Sequence, residues 1–123
     1  MPNTPTGIVA IVDDDPQMRT ALSRLLGASA IRTRCYASAR DFLESLASET
    51  PDCLIVDLQM PEMTGLELQQ QLSRSGVRIP TIVITGNGDA EFRTRCLAAG
   101  AADYLTKPFS GAALLASISL AIG

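Results

Sequence analysis

Ile8-Val9-Ala10-Ile11-Val12 runs straight into Asp13-Asp14-Asp15-Pro16, an apolar stretch ending in three consecutive carboxylates. A β-branched run of this length predicts a buried strand, and strand tips are where open α/β sheets bind their ligands. Two carboxylates about 4 Å apart repel by ~4 kcal/mol at an effective dielectric of ~20. Such a cluster is stabilised when positive charge sits between its members, and a hard divalent cation is the obvious candidate.

Outward from this junction, strand-like and helix-like patterns alternate five times. Pro16 to Ser29 carries Met18, Ala21, Leu22, Leu25 and Leu26 at the spacing of an amphipathic helix. Arg32 to Tyr36 is a short candidate strand. Ser38 opens the next helix, with Asp41 at the capping-box distance and Phe42, Leu43 and Leu46 as its apolar face. Cys53-Leu54-Ile55-Val56 is a second apolar run, ending in Asp57. Thr64-Gly65-Leu66-Glu67 is a capping box for a third helix through Leu72. Thr81-Ile82-Val83-Ile84 ends in Thr85-Gly86, and Asp89 caps a helix carrying Phe92, Cys96 and Leu97. Ala102 to Leu105 predicts a fifth strand ending near Thr106-Lys107-Pro108, and the last helix runs from about Ser110 to Ile122. Strict alternation of this kind implies a parallel sheet, right-handed crossovers and helices on both faces.

At 123 residues the chain is expected to be one domain over residues 8–123, preceded by a loose tail over residues 1–7 that lacks the basic and apolar regions of a signal peptide. The net charge is -3 and no basic stripe exists, so direct binding to nucleic acid is not expected. No apolar stretch reaches membrane-spanning length; the closest, Pro108 to Gly123, is uncharged but short and rich in Ser and Gly. Histidine is absent, which excludes His-based zinc sites and Ser-His triads. Cys35, Cys53 and Cys96 sit among apolar neighbours and read as buried, reduced thiols. Lys107 is the single lysine beside nine arginines.

In a parallel sheet all C-terminal strand ends lie on one edge. That edge would gather Asp13, Asp14 and Asp15 from strand one, Asp57 from strand three, Thr85 from strand four and Lys107 after strand five. Oxygen ligands of this kind suit Mg²⁺. A hydroxyl and an ammonium facing a metal-bound carboxylate suit the remaining oxygens of a phosphoryl group.

These residues resemble the CheY-like receiver domain of bacterial two-component response regulators, from Ile8 to about Ile122. The carriers are Val12-Asp13-Asp14-Asp15, Leu54 to Pro61 with Asp57 within it, Gly65, Ile84-Thr85-Gly86, Gly100-Ala101 and Asp103-Tyr104-Leu105-Thr106-Lys107-Pro108-Phe109. Ile84 to Asp89 is most similar to the FixJ-type subgroup, which usually precedes a LuxR-type helix-turn-helix output domain. The resemblance implies a flavodoxin-like (βα)5 fold with strand order 2-1-3-4-5. It implies that Asp57 is the phosphoacceptor, receiving the phosphoryl group from a phosphohistidine on a sensor histidine kinase. Asp13, Asp14, the Asp57 carboxylate and the Gln59 backbone carbonyl would hold Mg²⁺, for which Mn²⁺ could substitute. Lys107 and the Thr85 hydroxyl would each bond a phosphoryl oxygen, and Tyr104 would be the aromatic switch that turns inward as Thr85 moves. Lys107-Pro108 would be a cis peptide. The protein would be a cytoplasmic phosphoacceptor that assists its own phosphorylation and dephosphorylation, not an enzyme, either excised from a larger regulator or acting as a single domain.

Other readings of the same residues remain. Asp15 precedes Pro16, the pattern of an N-cap followed by proline at N1, and is read as a cap and not as a ligand. Gly86 and Gly88 read as turn glycines, since no G-x-x-x-x-G-K motif accompanies them. An aspartyl-phosphate phosphatase or phosphotransferase would carry a second acid two residues after the nucleophile, where this chain has Gln59. A pseudo-receiver that only binds partners would lack one of the acids, the hydroxyl or the lysine. The last helix holds Leu114, Leu115, Ile118, Leu120 and Ile122, too many for one face. About half should pack on the sheet, and the rest predict an apolar outer patch suited to a homodimer through the fourth helix, fifth strand and fifth helix.

Overall fold

In the computed structural model, which describes residues 7–86 and 90–122, ten elements alternate without exception. They are β1 (Ile8–Val12), α1 (Pro16–Ala28), β2 (Arg32–Tyr36), α2 (Ala39–Ser45), β3 (Cys53–Asp57), α3 (Gly65–Arg74), β4 (Thr81–Thr85), α4 (Ala90–Ala98), β5 (Asp103–Thr106) and α5 (Gly111–Ile122). The five strands are parallel in the order β2-β1-β3-β4-β5, the flavodoxin-like order that the resemblance implies. Residues 1–6 of the expected tail over residues 1–7, and the Asp89 cap, lie outside the described residues.

Why the runs are continuous follows from the packing. β1, β3 and β4 are buried along their whole length because helices cover both sides. Alternate residues divide between two cores. Ala10, Val12, Leu54, Val56 and Val83 face Phe42 of α2, Leu66, Leu68 and Leu72 of α3 and Cys96 of α4. Val9, Ile11, Ile55, Ile82 and Ile84 face Leu22 and Leu26 of α1 and Leu114 and Ile118 of α5. Each fully buried Leu or Ile side chain contributes roughly 1.5–3 kcal/mol relative to exposure.

Local chemistry sets the helix starts. Asp15 caps α1 by accepting from the Gln17 N–H at 2.9 Å, with Pro16 at the first helical position, so its reading as a cap holds. Ser38 accepts from the Asp41 N–H at 3.1 Å to start α2. In the Thr64–Glu67 capping box, both reciprocal bonds are made, at 2.9 and 3.1 Å. The ends differ from expectation by a residue or two: α3 continues to Arg74, and β5 starts at Asp103 instead of Ala102. Lys107-Pro108 is cis, as expected.

One expectation fails. Cys53 and Cys96 are buried, and burial pushes the Cys53 thiol up to about 12, but Cys35 is exposed. Cys35 lies on β2, the edge strand, where no neighbouring strand covers its flank and three of five residues are exposed. On α5, Leu114 and Ile118 are buried while Leu120 is 85% exposed and Ile122 also faces outward, which is the expected division.

Gly65 is where the fold sets the position of its reactive edge. Its N–H donates to the Leu58 carbonyl at 2.9 Å, and a Cβ there would lie 2.8 Å from the Asp57 carbonyl oxygen and 3.1 Å from Leu58 Cα. Both obstacles are backbone, so only glycine lets α3 start this close to the end of β3. Gly65→Ala is therefore expected to destabilise the protein by roughly 1–3 kcal/mol, read as a lower urea midpoint at unchanged slope. A midpoint equal to that of the wild type would refute the close-approach argument.

Candidate active site

The parallel register carries the strand-end residues Asp13, Asp57, Thr85 and Lys107, successively 44, 28 and 22 residues apart in sequence, to one edge, and the charged groups meet there. Asp13 follows β1 and has no exposed surface. Asp57, the last residue of β3, is 6% exposed, while Asp14 on the β1–α1 loop is exposed. Carboxylate oxygens of Asp13, Asp14 and Asp57 all lie within 4.8 Å of one another. Thr85 ends β4, fully buried, and its carbonyl accepts the Lys107 N–H at 2.7 Å. That bond ties the lysine backbone to the neighbouring strand, and its ammonium reaches back to 3.6 Å from Asp13 Oδ2 and 3.9 Å from Asp57 Oδ1.

The two buried acids are held differently. Asp13 Oδ1 accepts from the Asp15 N–H at 2.9 Å, whereas Oδ2 has the ion pair with Lys107 but no hydrogen-bond donor among the described residues. Asp57 Oδ1 accepts from the Gln59 N–H at 3.4 Å, which brings the Gln59 backbone to the site while its side chain points to solvent. Burial pushes the Asp57 carboxyl up to about 6, and the charge of Asp13 adds to the rise. Lys107 and the Gln59 N–H oppose it, and Asp14 adds a smaller increase. Asp13 is raised as well, again by burial first.

An under-coordinated buried carboxylate oxygen, two further carboxylates in reach and no nitrogen or sulfur donor is a set that fits a hard divalent cation. Asp15 is not in that cluster. Tyr104 of β5 is buried with Val83 and Cys96, so its ring occupies an inward position. Asn87 and Gly88 lie outside the described residues.

One contributor escaped the reading of the sequence. The Arg19 guanidinium donates to the Asp13 carbonyl at 2.7 Å. A single arginine on an amphipathic helix carries no signal of such a contact, which only the packing of α1 against β1 creates. Gly65 was read as part of the capping box and of the family resemblance, but its close approach to the Asp57 carbonyl came only with the packing of α3 on β3.

Residues 9–119 match the family described as the response regulator receiver domain. The chain belongs to this family. The response regulator protein TmoT of Ectopseudomonas mendocina is 40% identical over 120 residues, covering 98% of this chain and 54% of that protein. The transcriptional regulatory protein FixJ of Azorhizobium caulinodans is 36% identical over 115 residues, covering 94% and 54%. Among solved structures, the crystal structure of FixJ-N superposes with a TM-score of 0.88 at 35% identity, covering 94% of this chain and 92% of that one. The receiver spans about half the length of the curated relatives it matches.

The raised Asp57 carboxyl makes the metal-free receiver's stability depend on pH. A folded-state value above the unfolded one means that folding favours the protonated acid. The stability from this group is full below pH ~4 and is lost as pH rises through about 6. In chelator, Asp57→Asn is expected to be more stable than the wild type at pH 7 by on the order of 2–3 kcal/mol, with the gap narrowing toward pH 4. Urea denaturation at both pH values reads this, and a gap independent of pH would contradict it.

Proposed function

We propose that this receiver accepts a phosphoryl group from a sensor histidine kinase onto the Asp57 carboxylate. The observation that carries the reading is the placement of Asp57, buried at the end of β3 within reach of Asp13 and Asp14 and 3.9 Å from the single lysine. The phosphorus–nitrogen bond of the donor phosphohistidine breaks, a bond from phosphorus to an Asp57 carboxylate oxygen forms, and the electron pair leaves with the imidazole. In-line transfer of this kind needs positioning and charge neutralisation more than a strong nucleophile. Lys107 supplies positive charge for a phosphoryl oxygen, the Thr85 hydroxyl offers a hydrogen bond to another, and the Gln59 N–H orients the nucleophile. Asp13, Asp14, Asp57 and the Gln59 carbonyl would hold Mg²⁺, or Mn²⁺ in its place, which when bound neutralises negative charge on the phosphoryl oxygens. The receiver thereby assists its own phosphorylation and dephosphorylation without turning over a separate substrate.

Phosphorylation would bias a two-state equilibrium read at the α4-β5-α5 face, with Thr85 and Tyr104 as the linking residues. Tyr104 is buried between α4 and β4, a position from which its ring can couple the two. The relatives' greater length and the FixJ description as a transcriptional regulator support an output domain that acts in transcription as the readout. Its LuxR DNA-binding type and a cytoplasmic location are what the family resemblance implies. No described helix is long and apolar enough to cross a membrane. The uncharged α5, with Leu120 85% exposed, and the outward Leu97 of α4 favour an apolar homodimer on this face over a salt-bridged one.

Incubation with Mg²⁺ and acetyl phosphate is expected to add one acid-stable, base-labile phosphoryl group by intact mass, and none to Asp57→Asn. The proposal is falsified if no adduct forms or if Asp57→Asn forms it equally. Release of many phosphates per protein would instead favour a phosphatase. In analytical ultracentrifugation the phosphorylated receiver is expected to dimerise at high concentration and Leu120→Ser to weaken the dimer. A strictly monomeric phosphorylated protein would exclude it.

A further inference from the structure

Arg19 lies in the second turn of α1, partly buried, and its Nη1 donates to the carbonyl oxygen of Asp13 at 2.7 Å. That carbonyl belongs to the peptide joining Asp13 to Asp14. The rest of the segment is tied down by neighbours: the Asp13 N–H donates to the Tyr36 carbonyl at 3.1 Å, and the Asp15 N–H to Asp13 Oδ1 at 2.9 Å. The Asp13 side chain is thus held directly. The Asp14 side chain is not, for it is exposed and no hydrogen bond from a described residue reaches its carboxylate. The peptide plane that precedes it fixes where its Cα is held, and among the described residues Arg19 is the side chain that bonds that plane.

We infer that Arg19 is a positioning residue for the divalent-cation site, fixing the Asp13–Asp14 peptide so that the Asp14 carboxylate converges on Asp13 and Asp57. The inference rests on the metal-dependent reading above. It competes with a simpler effect of opposite sign. A guanidinium near a cation site repels the cation, so charge alone makes removal of Arg19 tighten binding. Positioning makes removal loosen it, because a ligand left free to rotate must be ordered on each binding event. The planar guanidinium, with its donors in a rigid fork, is suited to hold a carbonyl in one orientation.

The test is isothermal titration of Mg²⁺ into wild type, Arg19→Met and Arg19→Gln without a phosphodonor. Amide exchange at Asp15 is followed alongside in metal-free protein. Both substitutions are expected to weaken Mg²⁺ about 10-fold, the lower end of what removal of an outer-shell partner costs. The Asp15 amide, bonded to Asp13 Oδ1, is expected to exchange faster. Equal or tighter Mg²⁺ binding by the variants overturns the inference and leaves the proposed function standing. So does a lowered urea midpoint with an unchanged dissociation constant, the mark of a merely structural arginine. A wild type that binds no Mg²⁺ overturns both. If Arg19→Met does not fold, Arg19→Gln decides alone by the same criteria.

Discussion

Asp13 and Asp57 share a single ammonium, and this imbalance governs the molecule. Both carboxylates are buried, Lys107 stands 3.6 and 3.9 Å from them, and neither carboxylate has a second salt-bridge partner among the described residues. Burial and mutual repulsion push Asp57 up to about 6, and Lys107 offsets only part of the rise. A site of this kind is costly unless further positive charge arrives. The rest of the fold serves to keep the groups in place. The parallel register brings the strand ends together, the Thr85 carbonyl anchors Lys107, and Gly65 lets α3 start against the carbonyl of the reactive residue.

The two faces of the sheet are anchored unevenly. α1 and α5 pack Leu22, Leu26, Leu114 and Ile118 against alternate residues of β1, β3 and β4. On the other face, α3 buries Leu66, Leu68 and Leu72, but the described part of α4 buries only Cys96. An element with so small a buried face shifts at little cost. α4 receives a hydrogen bond from the buried Gln69 at the Cys96 carbonyl, and its Arg93 reaches the Tyr104 carbonyl at 3.5 Å. A buried reactive edge beside a helix with so small a buried face would suit a switch of the proposed kind.

Much of this was written in the chain. Apolar runs ending in Asp13, Asp57 and Thr85 fixed strands and strand tips, because a strand covered on both faces must be apolar throughout and can turn polar only where it leaves the sheet. The caps Asp15, Ser38 and Thr64 were legible because their side-chain bonds span two or three residues. Cys35 was misread: β2 is Arg32-Thr33-Arg34-Cys35-Tyr36, a polar strand, and its place at the edge of the sheet leaves it exposed.

By itself, then, the sequence determined the alternation of elements, the identity of the acids, the hydroxyl and the lysine, and the edge on which they must meet. These follow from short-range periodicity and from the parallel connection rule, which need no coordinates. Only the tertiary structure decided how the two remaining acids of β1's end divide: Asp13 without exposed surface, Asp14 in solvent. It also decided that Arg19 bonds the Asp13 carbonyl and that α3 touches the Asp57 backbone at Gly65. Those contacts join surfaces of different elements, and their distances are set by packing, which no local pattern of residues encodes.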